Sequence, residues 1–349
     1  MSAQHNVTIK DIAKELKLSV STVSRALRGG SEIKKETREI VRELAAKLKY
    51  SPNPIALSLK EKRSKVIGVI VPEIANTFCS STIAGIEEVA YKSGYHVTIF
   101  QTHETYDREV FNTQLVNSRR MDGLIMSLSN ETNNYKHITD LIDKGVPVVM
   151  FDRVHEKIHT HKVVVDDTRG AYLATEHLVK EGYRKIAHVT ISKNLSITKN
   201  RLKGFKNALT KHKVPINNDW IKHCDFNPTA IDQAILSLFT GKEKPDAIMA
   251  SVERVVMRCV VVLKELNLRI PQDCALIGFS DNPLNNYLSP SLSSISQPTL
   301  EIGKRSAELL IDLIESKSPP AKYQTLQLET ILNIRDSSLN IRDSSTKSK

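Results

Sequence analysis

The sequence predicts an all-α helix-turn-helix head joined through a short hinge helix to an α/β core of two parallel-sheet subdomains. Three observations predict it. Helical periodicity and capping residues fill the first fifty positions. A polar, charged stretch, Glu61-Lys62-Arg63-Ser64-Lys65, then interrupts the apolar pattern. From Val66 onward short apolar runs alternate with amphipathic helices, the pattern of βαβ units.

Charge divides the chain in the same way. Residues 1–65 carry 15 Lys+Arg against 7 Asp+Glu, whereas the remaining 284 carry 35 against 32, within a net charge of +11. A basic head on a near-neutral body points to a polyanionic partner for the head. With 40% hydrophobic and 26% charged residues the chain reads as globular. The N-terminus shows no signal-peptide pattern and no run is long enough to span a bilayer, so a cytosolic protein without a membrane partner is expected. Cys79, Cys224, Cys259 and Cys274 are not in C-x-x-C spacing and are expected as reduced, buried thiols rather than metal ligands.

The head begins with Thr8 and Asp11 in a capping-box pattern ahead of a helix whose inward positions are Ile12, Ala13 and Leu16. Lys17 and Leu18 make a turn. Ser19 then caps a second helix with Val23, Ala26 and Leu27 inward. This leaves Val20, Ser21, Ser24 and Arg25 on the outer face. They are small or polar apart from one long cation, a face able to lie in a major groove while Arg25 reaches a base edge. Gly29-Gly30 ends the helix. Thr37–Leu48 is expected as a third helix, with Ile40, Val41, Leu44, Ala45 and Leu48 packed on the first two. Pro52–Leu59 reads as a helix too short to be stable without a partner, entered through Asn53 and Pro54.

In the core, the expected strands include Val66–Val71, a run over 146–151, V-V-V at 163–165, a run over 185–190, one near 220–224, another over 246–251 and 275–279. No G-x-G-x-x-G, G-x-x-x-x-G-K-[ST], G-x-S-x-G or H-E-x-x-H occurs in the required context, so neither a nucleotide-binding enzyme nor a hydrolase is indicated. H-E-K-I-H-T-H at 155–161 is the densest histidine group and falls in a loop between strands. No metal or cofactor is expected. The tail carries N-I-R-D-S-S twice, at 333–338 and 340–345; the first copy is placed at the last strand region and 339–349 is expected as a disordered tail.

The string T-x-K-D-I-A-x-x-L-x-L-S-x-x-T-V-S-R-A-L, followed by T-R-E, L-x-Y-x-P-N and A-x-S-L, resembles the DNA-binding head of the LacI/GalR family. V-I-G-V-I-V-P-E-I-A-N-T-F, F-D-R, R-L-K-G-F, I-P-Q-D-C-A-L-I-G-F and L-S-S-I-S-Q-P-T-L-E-I-G resemble the family's regulatory core, which is like periplasmic sugar-binding proteins. The resemblance covers roughly residues 7–338. It implies a homodimeric repressor of a pseudo-palindromic double-stranded operator, controlled by a sugar-like effector in the core cleft, and not an enzyme. The alternatives are control by a protein corepressor and, against the basic head, a sugar-binding transport component built on the same core.

On the family's positions, Val20, Ser21, Ser24 and Arg25 would face bases, and Thr8, Ser19, Thr22, Thr37 and Tyr50 phosphates. Asn53, Ala56 and Leu59 would form the hinge helix, with Leu59 wedged into the minor groove. Phe78 in the N-x-F loop, Asp152, Arg201, Phe226, Ser280 and Asp281 would face the effector. Here Leu57 stands where the family often has Arg, Val252-Glu253 where it has Asn-Asp, and Ser280 where it has Asp, so a hexose held in the family manner should bind poorly. The implied division is a head over 1–51, hinge and linker over 52–65, and a core over 66–338. The N-terminal subdomain would take about 66–162 and 293–322; the C-terminal one would take about 163–292 and 323–338.

Overall fold

The computed structural model describes residues 7–29, 32–50, 63–316, 318 and 320–340. Pro52–Leu59, Gly30 and the end of the tail, with the expectations placed on them, lie outside the described residues. Two compact units divide at Ser64/Lys65.

Among the described residues the first unit contains three helices, α1 (Ile9–Glu15), α2 (Val20–Leu27) and α3 (Lys35–Lys47). Thr8 enters α1 with both its backbone N–H (2.8 Å) and its hydroxyl (2.7 Å) on Asp11 Oδ2. Lys17 takes a left-handed φ of 51° in the turn. Ser19 Oγ accepts from the Thr22 N–H at 3.1 Å and so caps α2. Gly29, at φ 79°, stops it. The core is Ile12, Ala13, Val23, Ala26, Val41, Leu44 and Ala45. Ile40 corrects the sequence reading, being 52% exposed. The inward stripe runs 41, 44, 45, 48, and Ile40 lies about 100° around the helix from Val41. Helix α3 also starts two residues earlier than expected, at Lys35.

Among the described residues the second unit holds two six-stranded sheets. The first has the order β11-β5-β4-β3-β1-β2, from β1 (Val66–Val71), β2 (His96–Gln101), β3 (Gly123–Met126), β4 (Val148–Phe151), β5 (His161–Val165) and β11 (Thr325–Leu328), all parallel. The second has the order β12-β10-β9-β8-β6-β7, from β6 (Ile186–Thr190), β7 (Ile221–His223), β8 (Ala247–Ala250), β9 (Ala275–Phe279), β10 (Ser293–Ser296) and β12 (Ile331–Asn333). Only the edge strand β12 is antiparallel, on β10. The central strands are buried on both faces, which is why they read as unbroken apolar runs.

Helices α4 (Thr77–Lys92), α5 (Tyr106–Ser118) and α6 (Lys136–Asp143) follow β1, β2 and β3. Helices α7 (Asp167–Lys180), α8 (Ser196–Lys211), α9 (Pro228–Ser237) and α10 (Glu253–Glu265) follow β5, β6, β7 and β8, and α11 (Thr299–Glu315) follows β10. Helices α4 and α11 touch backbone to backbone. A Cβ on Gly85 would run into the Leu300 carbonyl, and one on Gly303 into that of Thr82.

The chain passes between the sheets three times, after β5, after β10 and after β11. This corrects the subdomain limits drawn from sequence. Val163–Val165 pairs with β4 and β11 in the first sheet, 293–296 pairs with β9 in the second, and 325–328 belongs to the first. Each limit fell one strand early because an apolar run carries no mark of which sheet it joins.

Candidate functional site

The outer face of α2 carries the side chains expected to meet nucleic acid. Val20 is 43% exposed, and Ser21 and Arg25 are exposed. Arg25 Nε donates to the Ser21 carbonyl at 3.3 Å in the last turn of α2. Ser24 is half-buried, and its hydroxyl accepts from Arg28 Nη2 at 3.1 Å while Arg28 Nε donates to the Ser24 carbonyl at 3.2 Å. Arg28 was not singled out from sequence. It follows the last helical turn, and its cation sits where the helix C-terminus favours positive charge. Ser19, Ser21 and Thr22 share hydroxyl contacts of 2.8 Å at the start of α2. Thr8 is exposed at the start of α1, and Thr37 is half-buried in the first turn of α3. Tyr50 packs its ring on the head core, and burial pushes its phenol upward, so it stays a neutral donor. Asn53, Ala56 and Leu59 lie outside the described residues.

In the core, all six residues expected to face an effector line one narrow cavity. Phe78 lies in the first turn of α4 rather than in a loop; its N–H donates to the capping Asn76 Oδ1 at 2.8 Å, which fixes the turn. Asp152, directly after β4, takes a left-handed φ of 56°. Burial pushes its carboxyl up against the opposing pull of Arg153, whose Nε is 3.9 Å away. Arg201 on α8 is fully buried. Nε donates to Asp167 Oδ1 at 2.7 Å, Nη1 to the Ser251 carbonyl and Nη2 to Gln297 Oε1 at 3.2 Å, with the guanidinium 3.7 Å from the Phe279 ring centre. Phe226 lies beneath two cations, Arg254 at 4.3 Å and Arg153 at 5.5 Å.

Ser280 and Asp281 are both committed to local contacts. The Ser280 hydroxyl accepts from Asn285 Nδ2 at 3.0 Å. Asp281 accepts from the Gln297 N–H and from Gln297 Nε2 at 3.1 Å, and burial pushes its carboxyl up to about 6. Glu253 is held by Asn282 Nδ2 at 3.0 Å, and burial pushes its carboxyl up against the opposing hydrogen bonds of Asn282 and the Thr77 hydroxyl.

Sequence reasoning missed four participants. Glu104 takes Arg153 Nη1 at 2.6 Å and the Asn130 N–H at 2.8 Å. Gln297 bridges Arg201 and Asp281. Glu73 faces Arg254 at 3.6 Å across the two subdomains. Arg153 and Gln297 both stand inside strings that matched the family, F-D-R and S-Q-P-T, so the signal was present. Glu73 and Glu104 are ordinary loop acids until the fold brings them in. The histidine group 155–161 is tied up otherwise: His155 stacks on Tyr135 at 4.0 Å and His161 accepts the Gln324 N–H at 3.1 Å. Among the described residues no cluster of His, Cys, Asp or Glu could hold a metal ion, and all four cysteines are free and buried. No helix of the described residues is long and apolar enough to cross a membrane.

A basic three-helix head and a two-sheet core with a polar, aromatic-walled cleft define a DNA-binding regulator built on a ligand-binding core. Residues 8–53 match the family of bacterial regulatory proteins of the lacI type, and residues 64–330 match the periplasmic binding proteins and sugar-binding domain of the LacI family. The chain belongs to the LacI family and is a DNA-binding transcriptional repressor controlled by a small-molecule effector. It is similar to the ribose operon repressor of Haemophilus influenzae, 34% identical over 96% of this chain and 99% of that one. Catabolite control protein A of Priestia megaterium is 30% identical over 87% and 92%. Among solved structures, a LacI-family regulator from Enterococcus faecium with bound ribose is 27% identical, covering 79% of this chain and 99% of that one, with a TM-score of 0.69. The lac repressor dimer bound to operator shares the fold at a TM-score of 0.82 and 23% identity, over 96% and 100%.

Proposed function

We propose that two copies of this chain bind a pseudo-palindromic operator, and that a small polyhydroxyl compound of pentose size in the core cleft sets their affinity for it. The observation that carries the reading is the convergence of Phe78, Asp152, Arg201, Phe226, Ser280 and Asp281 on one cavity. Carboxylates and guanidiniums offer paired hydrogen bonds to vicinal hydroxyls, and the two phenyl faces offer apolar walls for a ring. Glu253 supplies a carboxylate acceptor where the family's Asn-Asp pair would supply an amide and an acid, and Val252 supplies no polar group. That favours a ligand with fewer hydroxyls than a hexose. The ribose named for one relative and bound in another is the first candidate.

In the head, Arg25 reads a base, Val20 and Ser21 fit the groove floor, and Thr8, Ser19, Thr22, Thr37 and Tyr50 fix register on phosphates. Pro52–Leu59 joins the DNA response to the core, with Leu59 as the wedge. The protein performs no catalysis and needs no cofactor. The test is a thermal-shift screen of pentoses, hexoses and their phosphates, paired with anisotropy of a labelled operator-like duplex. A pentose should raise the melting temperature with concentration and change the duplex affinity. No shift from any sugar, with duplex binding intact, would remove the sugar effector and leave the repressor.

A further inference from the structure

The structure places the first copy of the tail repeat in a built dock. The repeat is longer than the hexapeptide: Leu332–Ser338 and Leu339–Ser345 are the same seven residues, L-N-I-R-D-S-S, in tandem. In the first copy Asn333 Nδ2 donates to Ser296 Oγ at 2.9 Å. Arg335 Nε donates to Asn286 Oδ1 at 2.6 Å, and its Nη1 donates to the Leu292 carbonyl at 2.8 Å and to Ser294 Oγ at 3.2 Å. Ser337 Oγ donates to the Leu276 carbonyl at 2.6 Å and accepts the Ser293 N–H at 2.8 Å. Ser338 is buried between Ser293 Oγ at 2.6 Å and His177 Nε2 at 2.7 Å. These bonds are sequence-specific side-chain contacts, and every side chain that makes them recurs seven positions later.

We propose that the second copy, Leu339–Ser345, is an alternative occupant of this same dock, reached by a seven-residue slip of the tail in its own chain. The slip keeps chemistry at the positions ahead of the repeat as well. Asp336 and Ser337 would stand where Glu329 and Thr330 now stand, acid for acid and hydroxyl for hydroxyl. Ile331 would be replaced by Ser338, at a position 64% exposed, so little apolar burial is lost. The present register keeps one advantage. Asn340 donates to Glu181 through its N–H at 3.0 Å and through Nδ2 to the Glu181 carbonyl at 2.7 Å, and Lys347 would take its place. The first copy is therefore the resting occupant.

The consequence falls on the third crossover. Only Glu329 and Thr330 separate β11 in the first sheet from β12 in the second. After the slip that connection would grow from two residues to nine, which slackens one of the three tethers between the subdomains while the dock stays filled. A longer connection adds little closure cost, since that cost rises only with the logarithm of length.

The test compares Arg335→Ala in the full chain with Arg335→Ala in a chain ending at Asn340, which keeps every contact described above and removes the rest of the second copy. Rescue by the second copy predicts a small loss of melting temperature in the full chain and a loss larger by at least about 2–4 °C in the shortened one. Arg335→Ala/Arg342→Ala in the full chain should melt like the shortened variant. Hydrogen exchange on full-length Arg335→Ala should show protection moved from 332–338 to 339–345. Ser337→Ala in the same two backgrounds repeats the design with a milder lesion. Equal losses in full and shortened chains, with 339–345 unprotected, would overturn the proposal. The Arg335 and Ser337 lesions leave the head and the cleft residues untouched, so the outcome is independent of the effector reading.

Discussion

Replacing Arg201 by Met should destabilise the core by about 3–5 kcal/mol, the range for breaking a buried ion pair by removing one partner. The structure supports the upper half of that range. Arg201 is 2% exposed and Asp167 4%, and their contact is 2.7 Å. The Ser251 carbonyl and Gln297 Oε1 lose donors at the same time, and each buried acceptor left unpaired costs ~1–3 kcal/mol. The loss has a ceiling, because Asp167 can protonate. Burial already pushes its carboxyl up to about 6 with Arg201 present, so without the cation a neutral acid forms readily near pH 7. That escape separates charge from packing. Asp167→Asn in the Arg201→Met background should recover about 2 kcal/mol, whereas Asp167→Asn alone should destabilise. Urea titration followed by Trp220, the only tryptophan, half-buried just before β7, reads these differences. A loss under about 1 kcal/mol for Arg201→Met, or no recovery in the double variant, would refute the assignment of Asp167 as a charge held by Arg201.

Three further outcomes follow from the same geometry. Arg25→Ala should weaken operator binding by about 1–3 kcal/mol and relax preference at one base position, read by competition anisotropy across single-base operator variants; an unchanged profile removes the base contact. Gly303→Ala should lower stability by about 1–3 kcal/mol or more, because its Cβ meets the Thr82 carbonyl, a backbone atom that cannot swing away; a thermal melt indistinguishable from the parent would contradict the α4–α11 contact. Asp281→Asn should change the pH dependence of folding. A carboxyl raised from 3.8 to about 6 binds its proton more tightly folded than unfolded, so it favours the folded state below about pH 4 and withdraws that support as pH rises through 6. The shift corresponds to about 3 kcal/mol at most, so denaturation at pH 4 and pH 7 should show Asp281→Asn gaining on the parent toward high pH, and parallel curves would discount the buried carboxyl.

The head was legible almost to the residue because its signals are local. Thr8 with Asp11, Ser19 as a cap and Gly29 as a stop each act within four positions, and chain order alone places them. Ile40 failed for the same reason: a stripe one residue too wide looks identical until the partner helices are in place. The core strands were legible as apolar runs, but membership of a sheet was not. Val163–Val165 and Ser293–Ser296 have nothing in their own composition that distinguishes the two sheets, because pairing is decided by strands far away in sequence.

The cleft shows the same limit in chemical form. Sequence placed six lining residues by position, yet could not say which of their polar atoms are free. Folding answers that unevenly. Ser280 and Asp281 turn toward Asn285 and Gln297, and Arg201 spends three nitrogens on Asp167, Ser251 and Gln297. Two of those partners lie where the chain changes sheets, Asp167 just after β5 and Gln297 just after β10. A side chain facing the cavity and a side chain bracing the crossover are therefore the same group. A ligand that competes for one of these bonds is therefore expected to act on the crossovers between the subdomains. Glu253 does not lie at a crossover; its partners are Asn282 and the Thr77 hydroxyl. Substitutions at Glu253 should change which effector binds, whereas substitutions at Arg201 or Gln297 should change what binding does. A screen that scores effector affinity and operator affinity separately would distinguish the two, and a Gln297→Ala variant altered only in affinity would break the link between bracing and response.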